Sequence, residues 1–271
     1  MIWLCAAIGV LLLLYALFFW ENRRFKTTFT VCKHPKVQTP FRVVQVSDLH
    51  DRRFGAEQQK LIEAIRDGKP DLVVITGDLF NRHNHAACRN AFAFLERMRG
   101  VAPMYFIEGN HECSMKETGE RYVAKVAEYG VSVLRDAYTD LPQCRLIGLT
   151  QHAPKETLSA LSAKDRFNLV LAHRPERFPV YAGAGADVIL SGHAHGGQIR
   201  FGRIGVYAPQ QGLLPKYTAG WYASDGTRMF VSRGLGNTIA FPRVFNTPEL
   251  CVIDFIPDTE QKENQDVCTS C

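Results

Sequence analysis

The chain has 271 residues, which suits one domain or at most two. Its formal net charge of +5 is too mild to indicate nucleic-acid binding, because that function calls for a clustered basic stripe. A charge of this size is compatible with phosphate-bearing substrates or with an anionic membrane surface. The eight cysteines are scattered, so the chain lacks the dense disulfide framework of a small secreted domain.

The N-terminal segment predicts a membrane anchor. Residues 2–20 carry no charged side chain and are almost wholly apolar, and a transmembrane helix needs about 20 such residues. A cleaved signal peptide would have a basic start and a small-residue cleavage site, which this segment lacks, and a peripheral helix is the other alternative. We therefore predict a transmembrane signal anchor over residues 1–20.

The orientation of this anchor is predicted from the positive charges that follow it, Arg23, Arg24 and Lys26. The positive-inside rule then predicts a single-pass protein of the cell membrane with a cytoplasmic catalytic domain.

Three further segments follow the predicted anchor. Residues 21–40 are polar, contain Pro35 and Pro40, and have no clear period, which predicts a juxtamembrane linker. Residues 41–256 form the predicted globular domain. Residues 257–271 are polar and are predicted to be disordered. This tail ends in Cys268 and Cys271, a CxxC spacing that we interpret as part of a frayed tail, with a metal or redox role as the alternative.

Strands and helices alternate along the globular domain, which predicts a layered α/β fold. Short apolar runs predict strands at 41–47, 71–76, 104–107, 131–134, 145–149, 167–172 and 187–190. Helical spacing predicts helices at 56–66, 86–99 and 117–129, and a short helix between the last two of these strands. The chain after Gly192 is rich in glycine and proline, with short strands at 229–232 and 250–255, which suggests a second sheet packed against the first.

Polar clusters follow five of the apolar strands directly. Since ligands bind at the carboxyl ends of strands in open α/β sheets, we expect these clusters to meet at one sheet edge. In chain order the clusters are Asp48-Leu49-His50, Gly77-Asp78-Leu79-Phe80-Asn81, Gly109-Asn110-His111-Glu112, His173, and Ser191-Gly192-His193-Ala194-His195.

The residue types in these clusters point to a metal site. Each cluster alone has an ordinary alternative as a helix cap or a solvated loop, but buried ionisable groups after five separate strands are costly unless they are paired or metal-bound. Carboxylate, imidazole and amide ligands suit Mn²⁺, Fe²⁺ or Zn²⁺. No thiolate joins the set, which argues against a structural zinc site, and we interpret Cys113 as a packing residue.

The five clusters resemble the motif signature of the calcineurin-like metallophosphoesterase superfamily: DLH, GDLF, GNHE, a lone histidine and GHAH. The resemblance covers roughly residues 41–255. The segments AHRPERFP, SGHAHGGQIRF and SRGLGNTIAFPRVFNTPEL resemble a membrane-anchored bacterial branch of YkuE and YaeI type, in whose neighbourhood some members act on lipid-linked pyrophosphates. The resemblance implies a four-layer α/β/β/α sandwich of two mixed sheets flanked by helices.

The resemblance also implies two adjacent divalent metal ions, Mn²⁺ in first place, with Fe²⁺ or Zn²⁺ as alternatives. The implied first metal set is Asp48, His50, Asp78 and His195, and the second is Asp78, Asn110, His173 and His193, with Asp78 as the bridge. The implied reaction is hydrolysis of a phosphodiester or pyrophosphate bond by a hydroxide shared between the metals, with His111 protonating the leaving oxygen or stabilising its charge, and Asp48 orienting His111.

Several residues outside the five motifs have two possible interpretations. Arg174 and Arg233 are hypothetical phosphate contacts, with surface ion pairs as the alternative. Asn81 stands where the family pattern often has an acidic residue. Residues 212–215 and the Trp221-Tyr222 pair form an apolar edge for an acyl chain or, alternatively, seal the core.

The predicted function is a membrane-anchored phosphoesterase acting on a phosphate ester or pyrophosphate, with a lipid-linked substrate suggested by the anchor. One alternative is a non-catalytic metal-binding scaffold at the membrane, but the presence of Asp78 and His111 disfavours it. The other is a metal-dependent nuclease, but we find no basic groove with stacking aromatics, and no nucleic-acid partner is expected.

Overall fold

The computed structural model describes residues 22–83, 88–237 and 243–258, together with scattered residues among the first 19. Within these residues no helix is long and apolar enough to cross a membrane. Most of the anchor predicted at 1–20 lies outside the described residues. So do residues 259–271 of the predicted tail, including Cys268 and Cys271.

The strands of the described chain are β1 (Lys26–His34), β2 (Phe41–Val46), β3 (Leu72–Thr76), β4 (Met104–Ile107), β5 (Val131–Val133), β6 (Ala137–Asp140), β7 (Arg145–Gly148), β8 (Asn168–Leu171), β9 (Val188–Ser191), β10 (Arg200–Phe201), β11 (Ile204–Gly205), β12 (Tyr207–Ala208), β13 (Gly212–Leu213), β14 (Gly220–Ser224), β15 (Thr227–Val231) and β16 (Glu249–Pro257). The α-helices are α1 (Gln59–Asp67), α2 (Arg89–Met98), α3 (Asn110–Ser114), α4 (Glu117–Glu128), α5 (Lys155–Leu161) and α6 (Phe178–Tyr181). Short 3₁₀ turns occupy Ala56–Gln58, Pro175–Arg177 and His195–Gly197.

Two mixed six-stranded sheets form the centre of the domain. The first sheet has the order β1-β16-β2-β3-β4-β5, and the second has the order β14-β15-β9-β8-β7-β6. Apolar side chains of both sheets, such as Val74 of β3 and Leu171 of β8, share one buried layer between them. A second apolar layer joins the first sheet to α1, α2 and α4, and a third joins the second sheet to α5 and α6. The predicted α/β/β/α arrangement of two mixed sheets and flanking helices is therefore confirmed.

The functional strands belong to both sheets. β2, β3 and β4 run parallel in the first sheet, and β8 and β9 run parallel in the second. The expectation that all five would share one sheet edge was wrong, because β8 and β9 belong to the second sheet. The Gln45 side-chain amide donates to the carbonyl oxygen of Ser191 at 2.9 Å, which ties the two edges together beside the site.

The stretch predicted as a linker contains a strand. β1 pairs in parallel with β16 from Lys26 opposite Glu249 to His34 opposite Pro257, so the sheet begins 15 residues before the predicted boundary at Phe41. The strand was not predicted because its polar and apolar residues are reversed relative to a usual half-buried strand. The Thr28 and Thr30 hydroxyls bond Glu249 and Trp221, while Phe29 and Val31 are exposed. An edge strand with polar residues facing inward lacks the usual alternation, and β16 likewise runs one residue past the predicted domain end.

Candidate metal centre

The structure brings all seven predicted metal ligands together. Six of them are nearly inaccessible to solvent, and Asn110 is half-buried. Three groups have donor atoms within 4.8 Å of one another. These groups are Asp48–His50–His195, Asp78–His173–His193 and His50–Asp78–His111. The first two groups belong to the two metal sets that the resemblance implies.

The first set is organised around the imidazole of His50. Its Nε2 atom lies 3.3 Å from Nε2 of His195, 3.7 Å from Oδ2 of Asp78 and 4.0 Å from Oδ1 of Asp48. Nε2 of His195 lies 3.7 Å from the same Asp48 oxygen. Four potential donor atoms therefore surround one point between the two sheets.

The second set is organised around His173. Its Nδ1–H donates to the carbonyl oxygen of Thr76 at 2.8 Å, which leaves the lone pair on Nε2. That Nε2 lies 3.5 Å from Oδ2 of Asp78 and 3.2 Å from Oδ1 of Asn110. A backbone carbonyl that holds a histidine in this tautomer is a common support for a metal ligand.

These separations fit divalent cations. Two ligand atoms each about 2.1 Å from one ion, at angles of 90–120°, lie roughly 3.0 to 3.6 Å apart, close to the distances in both sets. Oδ2 of Asp78 faces His50 and His173 together, whereas its Oδ1 accepts the backbone N–H of His111 at 2.8 Å. Asp78 would therefore belong to both metal sets, as the resemblance implies.

The electrostatics of the two carboxylates differ. Burial raises the pKa of Asp48 to about 6, despite the nearby charge of His173. Burial also opposes the ionisation of Asp78, but the charges of His173, His50 and His111 outweigh it and hold the pKa of Asp78 well below its usual value. For His173 burial favours the neutral form, yet the charge of Asp78 raises its pKa to about 9. Asp78 is thus the electrostatic centre of the cluster.

Five of the seven ligands have left-handed backbone conformations. Their φ angles lie between 46° and 65°, a region that non-glycine residues seldom occupy. Such strain persists only where the surrounding structure imposes it, and it clusters at functional sites. The residues concerned are Asp48, His50, Asp78, His193 and His195.

Glycines beside the predicted ligands are required for two different reasons, backbone conformation and space. Gly77 has a φ of +89°, a conformation that glycine adopts readily and that lets the backbone turn sharply there. Gly109 and Gly192 have no positive φ and are required for space instead. A Cβ atom at Gly109 would lie 2.0 Å from Oδ1 of Asp78, and one at Gly192 would lie 1.9 Å from the Ser47 hydroxyl.

His111 is held by a contact that the sequence did not indicate. The backbone N–H of Arg82 donates to Nδ1 of His111 at 3.1 Å, so the proton of the neutral ring resides on Nε2. Burial lowers the pKa of His111 to about 4. The predicted orienting residue, Asp48, bonds Ser47 at 2.5 Å and the backbone N–H of His193 at 3.0 Å. The contact that orients His111 therefore comes from Arg82.

Glu112 joins the two central loops of the site and was missed as a functional residue. Its buried carboxylate accepts the backbone N–H groups of Asp78 at 2.9 Å, Phe80 at 3.0 Å and Gly109 at 2.7 Å. These bonds fix the loop after β3 against the start of α3, so Glu112 positions both Asp78 and Asn110. The signal available in the sequence was its place at the end of the GNHE cluster.

Replacing Glu112 with glutamine is expected to weaken metal binding about 10- to 100-fold, as is typical when a residue supporting a ligand is changed. The amide directs an N–H group at backbone N–H donors that the carboxylate now satisfies. The affinity for Mn²⁺ can be measured by calorimetry. Glu128→Gln, at the exposed end of α4, is the matched control. Equal Mn²⁺ affinity in both variants would contradict the positioning role.

Two further residues near His195 and His193 were also missed. A guanidinium N–H of the fully buried Arg243 lies 3.2 Å from Nδ1 of His195. Gln210, at the turn between β12 and β13, contacts Nε2 of His193 through its Oε1. The hairpin therefore covers a small cavity of about 100 Å³ that Asp78, His111 and His193 line. Neither residue adjoins a strand-end cluster, so local pattern could not find them.

The two predicted phosphate contacts both have protein partners. Nε of Arg174 donates to Oε1 of Gln151 at 2.7 Å, and its guanidinium lies 3.6 Å from Glu176. Nε of Arg233 lies 3.9 Å from Glu249. Both side chains are partly buried, and their contact with substrate phosphate stays a prediction.

Comparison with known proteins agrees with this geometry. The model of the calcineurin-like phosphoesterase family matches residues 41–197. The chain belongs to this family. It is 32% identical over 227 residues to the metallophosphoesterase YkuE of Bacillus subtilis, covering 78% of each chain. It is 28% identical over 230 residues to the phosphodiesterase YaeI of Escherichia coli, covering 80% of this chain and 83% of YaeI.

A more distant relative is named as a pyrophosphatase. The chain is 22% identical over 273 residues to the UDP-2,3-diacylglucosamine pyrophosphatase LpxG of Chlamydia muridarum, covering 78% of this chain and 82% of LpxG. As a calcineurin-like phosphoesterase with its ligand cluster in place, this protein is a metal-dependent phosphoester hydrolase.

Proposed function

We propose that this protein is a two-metal phosphoesterase that hydrolyses a phosphodiester or pyrophosphate bond at a membrane surface. The observation that carries the proposal is Oδ2 of Asp78, which faces His50 of one set and His173 of the other. The relatives YaeI and LpxG, named as a phosphodiesterase and a pyrophosphatase, support this choice of bond.

When bound, two divalent cations supply Lewis-acid chemistry: they lower the pKa of a water and offset charge on the phosphoryl oxygens. The protein's own groups do the rest. Asp78, held by the backbone N–H of His111, sets the spacing between the two sets. His111 keeps its proton on Nε2 because Arg82 occupies Nδ1, so the Nε2–H group can donate a hydrogen bond to the leaving oxygen and stabilise its developing charge. Burial of the cluster excludes bulk water and strengthens each charge interaction.

An exposed apolar surface supports action near a membrane. Five large side chains, 60–77% exposed, form what we call the apolar rim: Phe201, Ile204, Leu213, Leu214 and Phe245. The rings of Phe201 and Phe245 lie 6.2 Å apart, and the Leu214 backbone N–H donates to the Val206 carbonyl at 2.9 Å, which extends the β12–β13 hairpin to the residue that follows β11. The exposed leucines of the 212–215 segment agree with its interpretation as an apolar edge. Trp221 and Tyr222 instead pack against the core.

The apolar rim lies on the side of the domain from which the N-terminal segment leaves. Asn22 exchanges two hydrogen bonds of 2.9 Å with the backbone of Arg243, two residues before Phe245. The exposed Arg203 lies between Phe201 and Ile204, where it can meet anionic head groups. The predicted anchor at 1–20 and the apolar rim would therefore contact the same lipid surface, and we propose a bilayer as the occupant of the rim.

A photo-crosslinking residue in place of Leu213 is expected to form adducts with lipid when the full chain is reconstituted in vesicles. The same residue in place of Val180, an exposed apolar position on α6, is the control and should form few adducts. Mass spectrometry of the labelled protein measures both yields. Equal yields at the two positions would contradict contact between the rim and the bilayer.

The cytoplasmic orientation stays a proposal that rests on Arg23, Arg24 and Lys26. Labelling of the exposed Cys113 by a membrane-impermeant maleimide in intact cells and in lysed cells tests it. Labelling that requires lysis supports a cytoplasmic domain, and labelling of intact cells would overturn it.

The proposed reaction is tested by stripping metal from the full chain in detergent and measuring hydrolysis of bis-p-nitrophenyl phosphate as Mn²⁺, Fe²⁺ or Zn²⁺ is restored. Metal-dependent hydrolysis is expected. A folded, metal-binding protein without activity under any of these ions would favour the scaffold alternative. A shortened soluble version has to begin at or before Asn22, because removal of residues 22–40 would delete β1 from the first sheet.

A further inference from the structure

A large cavity opens beside the metal centre and is lined by positive charge. Its volume is about 730 Å³, within the range of small-molecule sites. His50, a ligand of the first set, and Asn81, three residues after Asp78, form its boundary with the site. Its remaining wall includes three guanidinium groups, those of Arg23, Arg52 and Arg53. A substrate bound at the metal centre would extend into this space.

The three guanidinium groups have uncharged partners among the described residues. Arg52 donates to the carbonyl oxygen of Asn22 at 2.5 Å, and Arg53 donates to the carbonyl oxygen of Gly55 at 3.1 Å. Arg23 lies 4.0 Å from the centre of the Phe19 ring. Like charges gathered in one cavity repel one another unless a ligand of opposite charge offsets them.

The carboxylate of Asp51 also lines the cavity, but it bonds groups at the start of α2 and does not pair with the arginines. Asp51 accepts the backbone N–H of Ala91 at 2.8 Å and lies 3.4 Å from the side-chain amide of Asn90, both at the start of α2. The first turn of a helix stabilises a negative charge, so the charge of Asp51 is stabilised by α2 and does not offset the charges of the arginines. Asn81 adds a neutral amide to the wall. The cavity therefore has a net positive charge.

We propose that this cavity is the subsite for a second anionic group of the substrate, the non-scissile phosphate of a pyrophosphate diester. Arg52 and Arg53 bind its oxygens, while the scissile phosphorus lies at the metal centre. Arginine suits this role because its planar fork binds phosphate oxygens in pairs. Phe19, on the same wall, is the end of the described N-terminal segment and adds an apolar side from which a lipid-linked substituent can approach. This inference rests on the proposed function, whose substrate class it narrows.

The test compares AMP with its α,β-methylene diphosphate analogue, which has a second anionic group and a bridge that resists hydrolysis. Both are used as competitors of bis-p-nitrophenyl phosphate in the full-chain, metal-loaded protein. The wild type is expected to bind the analogue at least tenfold more tightly than AMP, which equals ~1.4 kcal/mol. In the double variant Arg52→Gln, Arg53→Gln this preference should fall below about threefold. Arg97→Gln, exposed on α2, is the matched control.

Two further variants separate binding from folding, because Arg52 also holds Asn22. Arg53→Gln changes an exposed side chain and should lose part of the preference, and Arg52→Lys, which keeps the charge but not the planar fork, should also lose only part of it. A wild type without preference for the analogue, or a double variant that retains it, would overturn the subsite.

Failure of the proposed function gives a different result. It appears as absence of bis-p-nitrophenyl phosphate hydrolysis in every variant. Calorimetric titration of the methylene analogue into chelator-treated protein then still decides the subsite. Binding is expected in the wild type and a loss of about tenfold or more in the double variant, and equal affinities would again overturn the subsite.

Discussion

Replacing Asp78 with asparagine is expected to lower kcat/KM for bis-p-nitrophenyl phosphate by 10²- to 10³-fold or more. Removal of one group that stabilises developing charge has typical costs of this size, and Oδ2 of Asp78 faces both proposed metal sets. The amide keeps the shape of the side chain but loses the negative charge that lies beside His173 and His50. Metal content, measured by mass spectrometry of the purified protein, should fall below two ions per chain.

The control for this variant is Asp67→Asn at the exposed end of α1, which should retain full activity and metal content. A stepwise Mn²⁺ titration adds a second test. If Asp78 bridges the two sets, its replacement weakens both binding steps. Weakening of one step alone, with the other at wild-type affinity, would show that Asp78 serves a single ion.

Replacing His111 with asparagine is expected to lower kcat by about 10²- to 10³-fold, the usual contribution of a positioned hydrogen-bond donor to developing negative charge. The loss should depend on the leaving group, because the hydrogen bond from Nε2 matters most when the departing oxygen carries the most negative charge. Diphenyl phosphate should therefore lose more activity than bis-p-nitrophenyl phosphate, whose leaving group departs readily without a proton. The ratio of the two rates in wild type and variant is the measurement.

Metal content distinguishes this role from that of a ligand. His111 lies in a group with His50 and Asp78 whose donor atoms could also hold an ion. If His111 acts on the leaving oxygen, its replacement should leave two ions per chain, whereas loss of an ion from His111→Asn would contradict this role. His152→Asn, at an exposed position after β7, is the matched control and should leave both the rates and the metal content unchanged.

Local sequence was sufficient to locate the polar clusters and to predict alternating strands and helices, whereas the metal sets and the four-layer sandwich were implied by the family resemblance. Each polar cluster directly follows a short apolar run, and the two central strands of the first sheet, β2 and β3, lie within one residue of their predicted bounds. A buried parallel strand has a continuous apolar sequence, and its carboxyl end is where polar side chains collect. Asp48, Asp78 and His173 could therefore be recognised as candidate site residues from neighbouring residues alone.

The edges of the domain could not be predicted in the same way. β1 lies at a sheet edge with threonines inward and Phe29 exposed, so its pattern is opposite to that of a half-buried strand. Its pairing partner, β16, is more than 200 residues away in the chain. Register between such distant segments depends on long-range hydrogen bonds, which a local window of sequence does not contain.

The sequence by itself therefore determined which polar clusters form the candidate site, because each motif is a short segment with its own backbone requirement. Only the tertiary structure decided that strands of both sheets contribute to the site, and that Oδ2 of Asp78 faces His50 of one proposed metal set and His173 of the other. It also decided that Arg82, Glu112 and Arg243 support the ligands, and that Arg52 and Arg53 line a cavity beside His50. These relations join residues that are distant along the chain, and packing of the two sheets brings them into contact.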